Sequence, residues 1–106
     1  MPLSQRVNVV YKFSCAGCNA SYIGETTRQL GVRATEHLES DTKSSIYRHL
    51  KYKSLPCSEI CDFSCFSVLD SATTEYQLQI KEGLYIAWQN PSLNKQLKSY
   101  VMSLTV

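Results

Sequence analysis

Polar and apolar residues alternate at the start of the chain. From Val7 to Phe13, the residues Val7, Val9, Tyr11 and Phe13 fall on one side of an extended strand. The turn Ser14–Asn19 holds Cys15, Gly17 and Cys18, and a second short strand, Ala20–Gly24, follows at hairpin distance. Gly24 ends that strand, where backbone turns or approaches something closely. Thr26 or Thr27 then caps a helix running to about Leu38, with Leu30, Ala34, His37 and Leu38 on one face. Arg33 and His37 are four apart and project in nearly the same direction. Ser44 or Ser45 starts a short helix, Ile46–Tyr52, which Pro56 closes. A cysteine-bearing loop, Cys57–Cys65, leads into a short apolar strand, Phe66–Leu69.

The longest helix spans Thr74–Gln89 and ends at Asn90–Pro91. It carries two apolar faces: Ile80, Leu84, Ala87 and Trp88 on one, Leu78, Tyr85 and Ile86 on the other. A helix apolar on both sides is expected to pack in the middle of a domain. Glu82 lies within the second stripe, a costly place for a carboxylate without a partner. Gly83 beside it costs about 1 kcal/mol relative to Ala in a helix interior, and is expected either to let the helix approach the sheet or to mark a decaying copy. The tail, Tyr100–Val106, alternates weakly and suits an added edge strand. This order predicts an α+β fold, a small antiparallel β-sheet flanked by helices.

Length and composition narrow the reading. The 106 residues fit one domain, spanning 1–106, and a core of that size benefits from a metal staple. Apolar runs fall short of a membrane span, and Met1–Asn8 lacks the apolar core of a signal peptide, so a soluble protein inside a cell is expected. The net charge of +2 is too mild to identify a nucleic-acid partner. Its distribution says more, because Lys43, Arg48, Lys51 and Lys53 form an acid-free stretch. That stretch suits either a solvated face or a surface that tracks phosphates.

The five cysteines, in a chain read as intracellular, point to metal binding or thiols in preference to disulfides. Cys15-x-x-Cys18 in a tight turn is the usual knuckle for two thiolates on one zinc. A thiol redox pair is the weaker reading, since such pairs open a helix after a strand.

Several polar residues interrupt the apolar patterns: Tyr11 and Tyr22 on strands, Arg33 and His37 on one helix face, Glu82 in its stripe, and Asn94 after Pro91–Ser92–Leu93. Each alone has an ordinary structural explanation. Together, in this order, they resemble the GIY-YIG nucleases. The two halves of that name read Val9–Val10–Tyr11 and Tyr22–Ile23–Gly24, and the first departs from Gly-Ile-Tyr while keeping its tyrosine. The segment Tyr22 to His37, the run Lys81–Ile86 and the run Asn90–Asn94 are similar to the family's core, metal-binding and terminal motifs. Cys15-x-x-Cys18, Ser44-Ser-Ile-Tyr-Arg-His49, Phe66-Ser-Val-Leu-Asp70 and Tyr76–Glu82 are similar to the endonuclease domains of Penelope-like retroelements. The resemblance covers about Val7 to Leu97.

The resemblance implies a metal-dependent DNA endonuclease. Glu82 would hold a catalytic Mg²⁺. Arg33 would neutralise the phosphate, and Tyr11 would be the general base, with cations or metal needed to lower its phenol from about 10. Tyr22 would orient water or phosphate, His37 would relay protons or contact phosphate, and Asn94 would position Glu82 or nearby backbone. A structural zinc would take Cys15, Cys18, His49 and Cys57, with Cys61 the alternative to Cys57 and Cys65 third. Cys61 and Cys65 otherwise read as ordinary buried thiols. DNA and a reverse-transcriptase domain of the same polyprotein are the implied partners, transposition the implied role and the nucleus the implied place. The competing expectation is a zinc-stabilised DNA-binding module without cleavage.

Overall fold

The computed structural model describes residues 2–52 and 60–94. The predicted closing Pro56 and the predicted tail strand, Tyr100–Val106, lie outside these residues, as do Lys53 and Cys57. The core is a three-stranded antiparallel sheet in the order β2-β1-β3, where β1 is Val9–Ser14, β2 is Ser21–Thr26 and β3 is Phe66–Ser71. Among the described residues, three α-helices flank it: α1 (Leu30–Thr35), α2 (Ser45–Tyr52) and α3 (Glu75–Gln89). The expected α+β architecture holds.

The central strand is buried on both faces, and its alternation divides the core in two. Val9, Tyr11 and Phe13 point to one side, where Leu30 and Ala34 of α1, Ile46 and Leu50 of α2, and Phe66 of β3 close over them. Val10 points to the other side and packs with Ile23, Leu78 and Ile86 of the sheet and α3. Val7, predicted to begin the strand, is 44% exposed and lies before β1.

The first helix begins later than its threonines suggest. Thr26 is the last residue of β2, paired with Val9, and its hydroxyl accepts from Arg28 N instead of capping α1. Gln29 precedes α1 without a side-chain cap, and Leu30 N donates to Arg6 O of the N-terminal segment. After Thr35 the helix widens into a π-turn, Glu36–Ser40, which carries His37. Such wide turns recur at functional sites. Ser44 caps α2, its Oγ accepting from Ile46 N and Tyr47 N.

Helix α3 starts and stops where its sequence indicates. Thr74 accepts from Gln77 N, and Asn90 takes the left-handed conformation (φ 49°) just before Pro91. Its packing differs from expectation. Leu78 and Ile86 are buried, whereas Ile80, Leu84 and Trp88 are 45%, 43% and 68% exposed and Ala87 is exposed too. A sheet one layer thick has one surface on this side, so it covers one stripe of the helix and not both. Gly83 is also exposed, and a Cβ there would meet nothing within 4 Å, so close approach to the sheet is not its role.

The free edge of β2 is closed by the turn that follows α3. Asn94 Oδ1 accepts from Ile23 N at 2.8 Å and Asn94 Nδ2 donates to Ile23 O at 2.9 Å. One side-chain amide thus takes the place of a neighbouring strand, while Ser92 Oγ accepts from Ser21 N. No helix among the described residues is long and apolar enough to cross a membrane.

Candidate active site and metal centre

Register places the two tyrosines on one side of the sheet. Tyr11 lies opposite Gly24, and Phe13 opposite Tyr22. Opposed residues share a face, so Tyr11 and Tyr22 both look toward the α1 side. His37 meets them there: its Nε2 lies 2.6 Å from Tyr11 Oη, and its ring packs edge-on against Tyr22 with centroids 5.5 Å apart. Its Nδ1 is hydrogen-bonded to Ser44 Oγ. Burial, with the Arg33 charge second, lowers His37 to about 4, so the ring is neutral at pH 7.

Gly24 makes room for this group. A Cβ at position 24 would stand 2.6 Å from Tyr11 Oη and 2.8 Å from a Tyr22 ring carbon. The glycine lies inside β2 and does not end it, and its service is close approach.

Arg33 is held by carboxylates. Its Nη1 donates to Glu36 at 3.0 Å and to Asp41 at 2.9 Å, and Arg28 grips Glu36 through two bonds. The Arg28 and Arg33 guanidinium groups keep Glu36 at about 2. The same Arg33 charge faces the Tyr11 phenol and pulls its pKa down, against burial and Tyr22, which push it above its usual value. Burial, then Glu82, likewise raises Tyr22.

Glu82 approaches from α3. It is partly buried and forms no ion pair among the described residues, and the backbone N–H of Glu25 eases its charge only slightly. Burial and then the Glu25 charge raise it to about 7. Glu25 is itself raised, by burial and then by Glu75. A carboxylate in this setting gains from a bound cation. His37 thus touches both tyrosines, and the charges of Arg33 and Glu82 act on both, linking residues that span more than half the chain. Asn94 stands apart, pinned to the Ile23 backbone between Tyr22 and Gly24.

The second cluster lies at the hairpin turn. Donor atoms of Cys15, Cys18 and His49 all fall within 4.8 Å of one another. His49 Nε2 is 3.4 Å from each sulfur, close to the roughly 3.5 Å separation between ligands around one zinc. This group can hold a metal ion such as zinc. Cys61 Sγ lies 3.5 Å from Cys15 Sγ, and Cys61 and Cys65 are both half-buried. Cys57, the first expectation for the fourth position, is outside the described residues.

Lys43, Arg48 and Lys51 are all exposed on α2 and its approach. Arg48 Nε donates to Thr42 O, and the Lys51 ammonium sits 5.7 Å from the Tyr47 ring centre. Three residues of the site escape sequence reasoning in these roles: Ser44 as the partner of His37, and Glu36 and Asp41 as the anchors of Arg33. Their signal is three-dimensional, because it depends on the π-turn that carries the chain from His37 back to Ser44. No protein-family model, no curated protein and no solved structure matches this chain.

Proposed function

We propose that this domain is a divalent-metal-dependent DNA endonuclease of the GIY-YIG kind, similar to those of Penelope-like retroelements, and that it nicks one strand at a time. The observation that carries the reading is the buried Tyr11–His37 hydrogen bond with Tyr22, Arg33 and Glu82 around it. Phosphodiester cleavage needs a group to take a proton from water and positive charge for the phosphorane-like transition state. Tyr11 takes that proton as a phenolate, after its own proton has passed to solvent, with Arg33 and the bound cation offsetting the burial that raises its pKa. Arg33, held in place by Glu36 and Asp41, presents the rest of its guanidinium to the phosphate. Tyr22 orients the phosphate, and His37 holds the Tyr11 oxygen. Glu82 holds the cation, proposed as Mg²⁺; when bound, it supplies charge neutralisation at the scissile group. Asn94 keeps β2, and with it Tyr22, in register.

The zinc, in the same reading, is structural and takes Cys15, Cys18, His49 and, as fourth ligand, Cys61, which the 3.5 Å approach to Cys15 favours. It ties the hairpin turn to α2 and so steadies Lys43, Arg48 and Lys51 for the DNA backbone. Lys53 and Cys57 continue that segment. A reverse-transcriptase domain on the same polyprotein, a role in transposition and action in the nucleus complete the proposal, and these rest on the resemblance.

The test is incubation of the zinc-loaded domain with supercoiled plasmid, with Mg²⁺ or with EDTA. Nicked circles formed only with Mg²⁺ are expected. Plasmid that is bound but left intact in Mg²⁺ would favour a DNA-binding module without cleavage.

A further inference from the structure

Ser44 has one hydroxyl proton and two acceptor sites on its oxygen. Both acceptor sites are used by α2, since Ile46 N donates to Oγ at 3.1 Å and Tyr47 N at 3.2 Å. The side chain is buried, so its proton needs an acceptor inside the protein. The remaining contact is His37 Nδ1. If the ring instead donated from Nδ1, Oγ would receive three donors and its own proton would face none. The ring is neutral and carries a single proton, which the crowding of donors at Ser44 Oγ assigns to Nε2, aimed at Tyr11 Oη 2.6 Å away.

We propose that Ser44 is a positioning residue that fixes His37 as its Nε2–H tautomer, so that the Tyr11 oxygen receives a hydrogen bond from the ring instead of giving one. The consequence for Tyr11 is direct. His37 Nε2–H faces its oxygen as a donor, and the nearby Arg33 charge favours the ionised oxygen. Tyr11 is itself buried, so turning its phenolic proton away from His37 leaves that proton without a protein acceptor among the described residues; this disfavours the neutral phenol, and a phenolate formed by losing the proton to water already has a donor directed at it. An Nδ1–H tautomer would leave Nε2 an acceptor and hold the phenolic proton in place. The cap of a helix therefore sets the state of a group on another element. That helix, α2, spans eight residues, with Ser44 before its first turn and His49 of the metal cluster in its last.

The tautomer does not depend on any nuclease activity; only its effect on turnover rests on the proposed function. The experiment is a long-range ¹H–¹⁵N spectrum of the zinc-loaded, ¹⁵N-labelled chain at pH 7, without DNA or Mg²⁺. The chain has two histidines, so His37 is assigned by comparison with His37→Gln. The expected pattern is a protonated Nε2 and an unprotonated Nδ1. Ser44→Thr, which caps and donates as serine does, keeps it. Ser44→Asp, which caps α2 but has no proton to give, puts a proton on Nδ1. A wild-type ring protonated on Nδ1 overturns the proposal, as does a folded Ser44→Asp protein whose Nδ1 stays bare. Where the wild type nicks DNA, Ser44→Asp loses at least about tenfold in kcat with KM little changed, and Ser44→Thr restores it. A wild-type chain that shows the predicted tautomer yet never nicks DNA would count against the proposed function alone.

Discussion

The Cα of Gly24 faces the hydroxyl of Tyr11 so closely that a methyl group there would stand 2.6 Å from the phenolic oxygen. The two residues are paired across the β1–β2 hairpin, and Tyr22 crowds the same space from the other side. Gly24→Ala therefore pushes Tyr11 off His37. A loss of about 1–3 kcal/mol of stability is expected, as for other overpacked core positions, together with loss of the Tyr11–His37 hydrogen bond. Thermal unfolding and the His37 ¹⁵N signals check it, and a Gly24→Ala protein with unchanged stability and ring signals would refute the close-packing account.

Glu82 carries a pH signature. Burial, followed by the Glu25 charge, raises it from 4.5 to about 7. A carboxyl raised in the folded state contributes stability that is fully present below its unfolded value and lost as pH rises through the folded one. Without divalent ions, wild type and Glu82→Gln are expected to melt alike near pH 4.5. At pH 8 the glutamine variant is expected to be the more stable by about 2 kcal/mol. Mg²⁺ at pH 8 raises the melting point of the wild type alone. A gap that is constant with pH would mean that Glu82 is not under strain.

The metal cluster is tested by stoichiometry. Cys15→Ser lowers zinc content and melting temperature together, because the metal's binding energy is part of the folding energy. Cys61→Ser does the same if Cys61 is the fourth ligand, while Cys57→Ser and Cys65→Ser keep one zinc per chain. Zinc lost from Cys57→Ser and kept in Cys61→Ser would move the fourth ligand to residue 57.

Asn94 makes two hydrogen bonds to the backbone of Ile23, which is itself fully buried. Asn94→Ala strands both groups and is expected to cost about 1–3 kcal/mol. Amide exchange at Ile23 should accelerate with it, and unchanged protection there would mean that the edge of β2 is held by something else.

Much of this is legible in the sequence, for local reasons. The alternation of Val9, Tyr11 and Phe13 belongs to a strand with a buried face, and Thr74 and Asn90–Pro91 bound α3 by their own capping chemistry. What stays hidden depends on distant contacts. Thr26 looks like a cap, but pairing with Val9 keeps it in β2, and α1 instead starts where Leu30 N meets Arg6 O. The two apolar faces of α3 are visible, yet sequence does not say that only Leu78 and Ile86 find a sheet. Among the proposed catalytic residues, side-chain type and order single out Tyr11, Tyr22, Arg33, His37 and Glu82. The Ser44 contact to His37 requires a π-turn that no residue pattern announces. The approach of Cys61 to within 3.5 Å of Cys15 is not visible in the spacing, and Cys57, placed ahead of it in the sequence reading, lies outside the described residues.

The central claim is that Tyr11, Arg33, His37 and Glu82 form one phosphodiester-cleaving site. The most direct test is nicking of supercoiled plasmid by the zinc-loaded domain in Mg²⁺, beside a folded Glu82→Ala variant with normal DNA binding. The account predicts Mg²⁺-dependent nicking by the wild type and a loss of at least about a hundredfold in the variant. Equal nicking by the two proteins would contradict it.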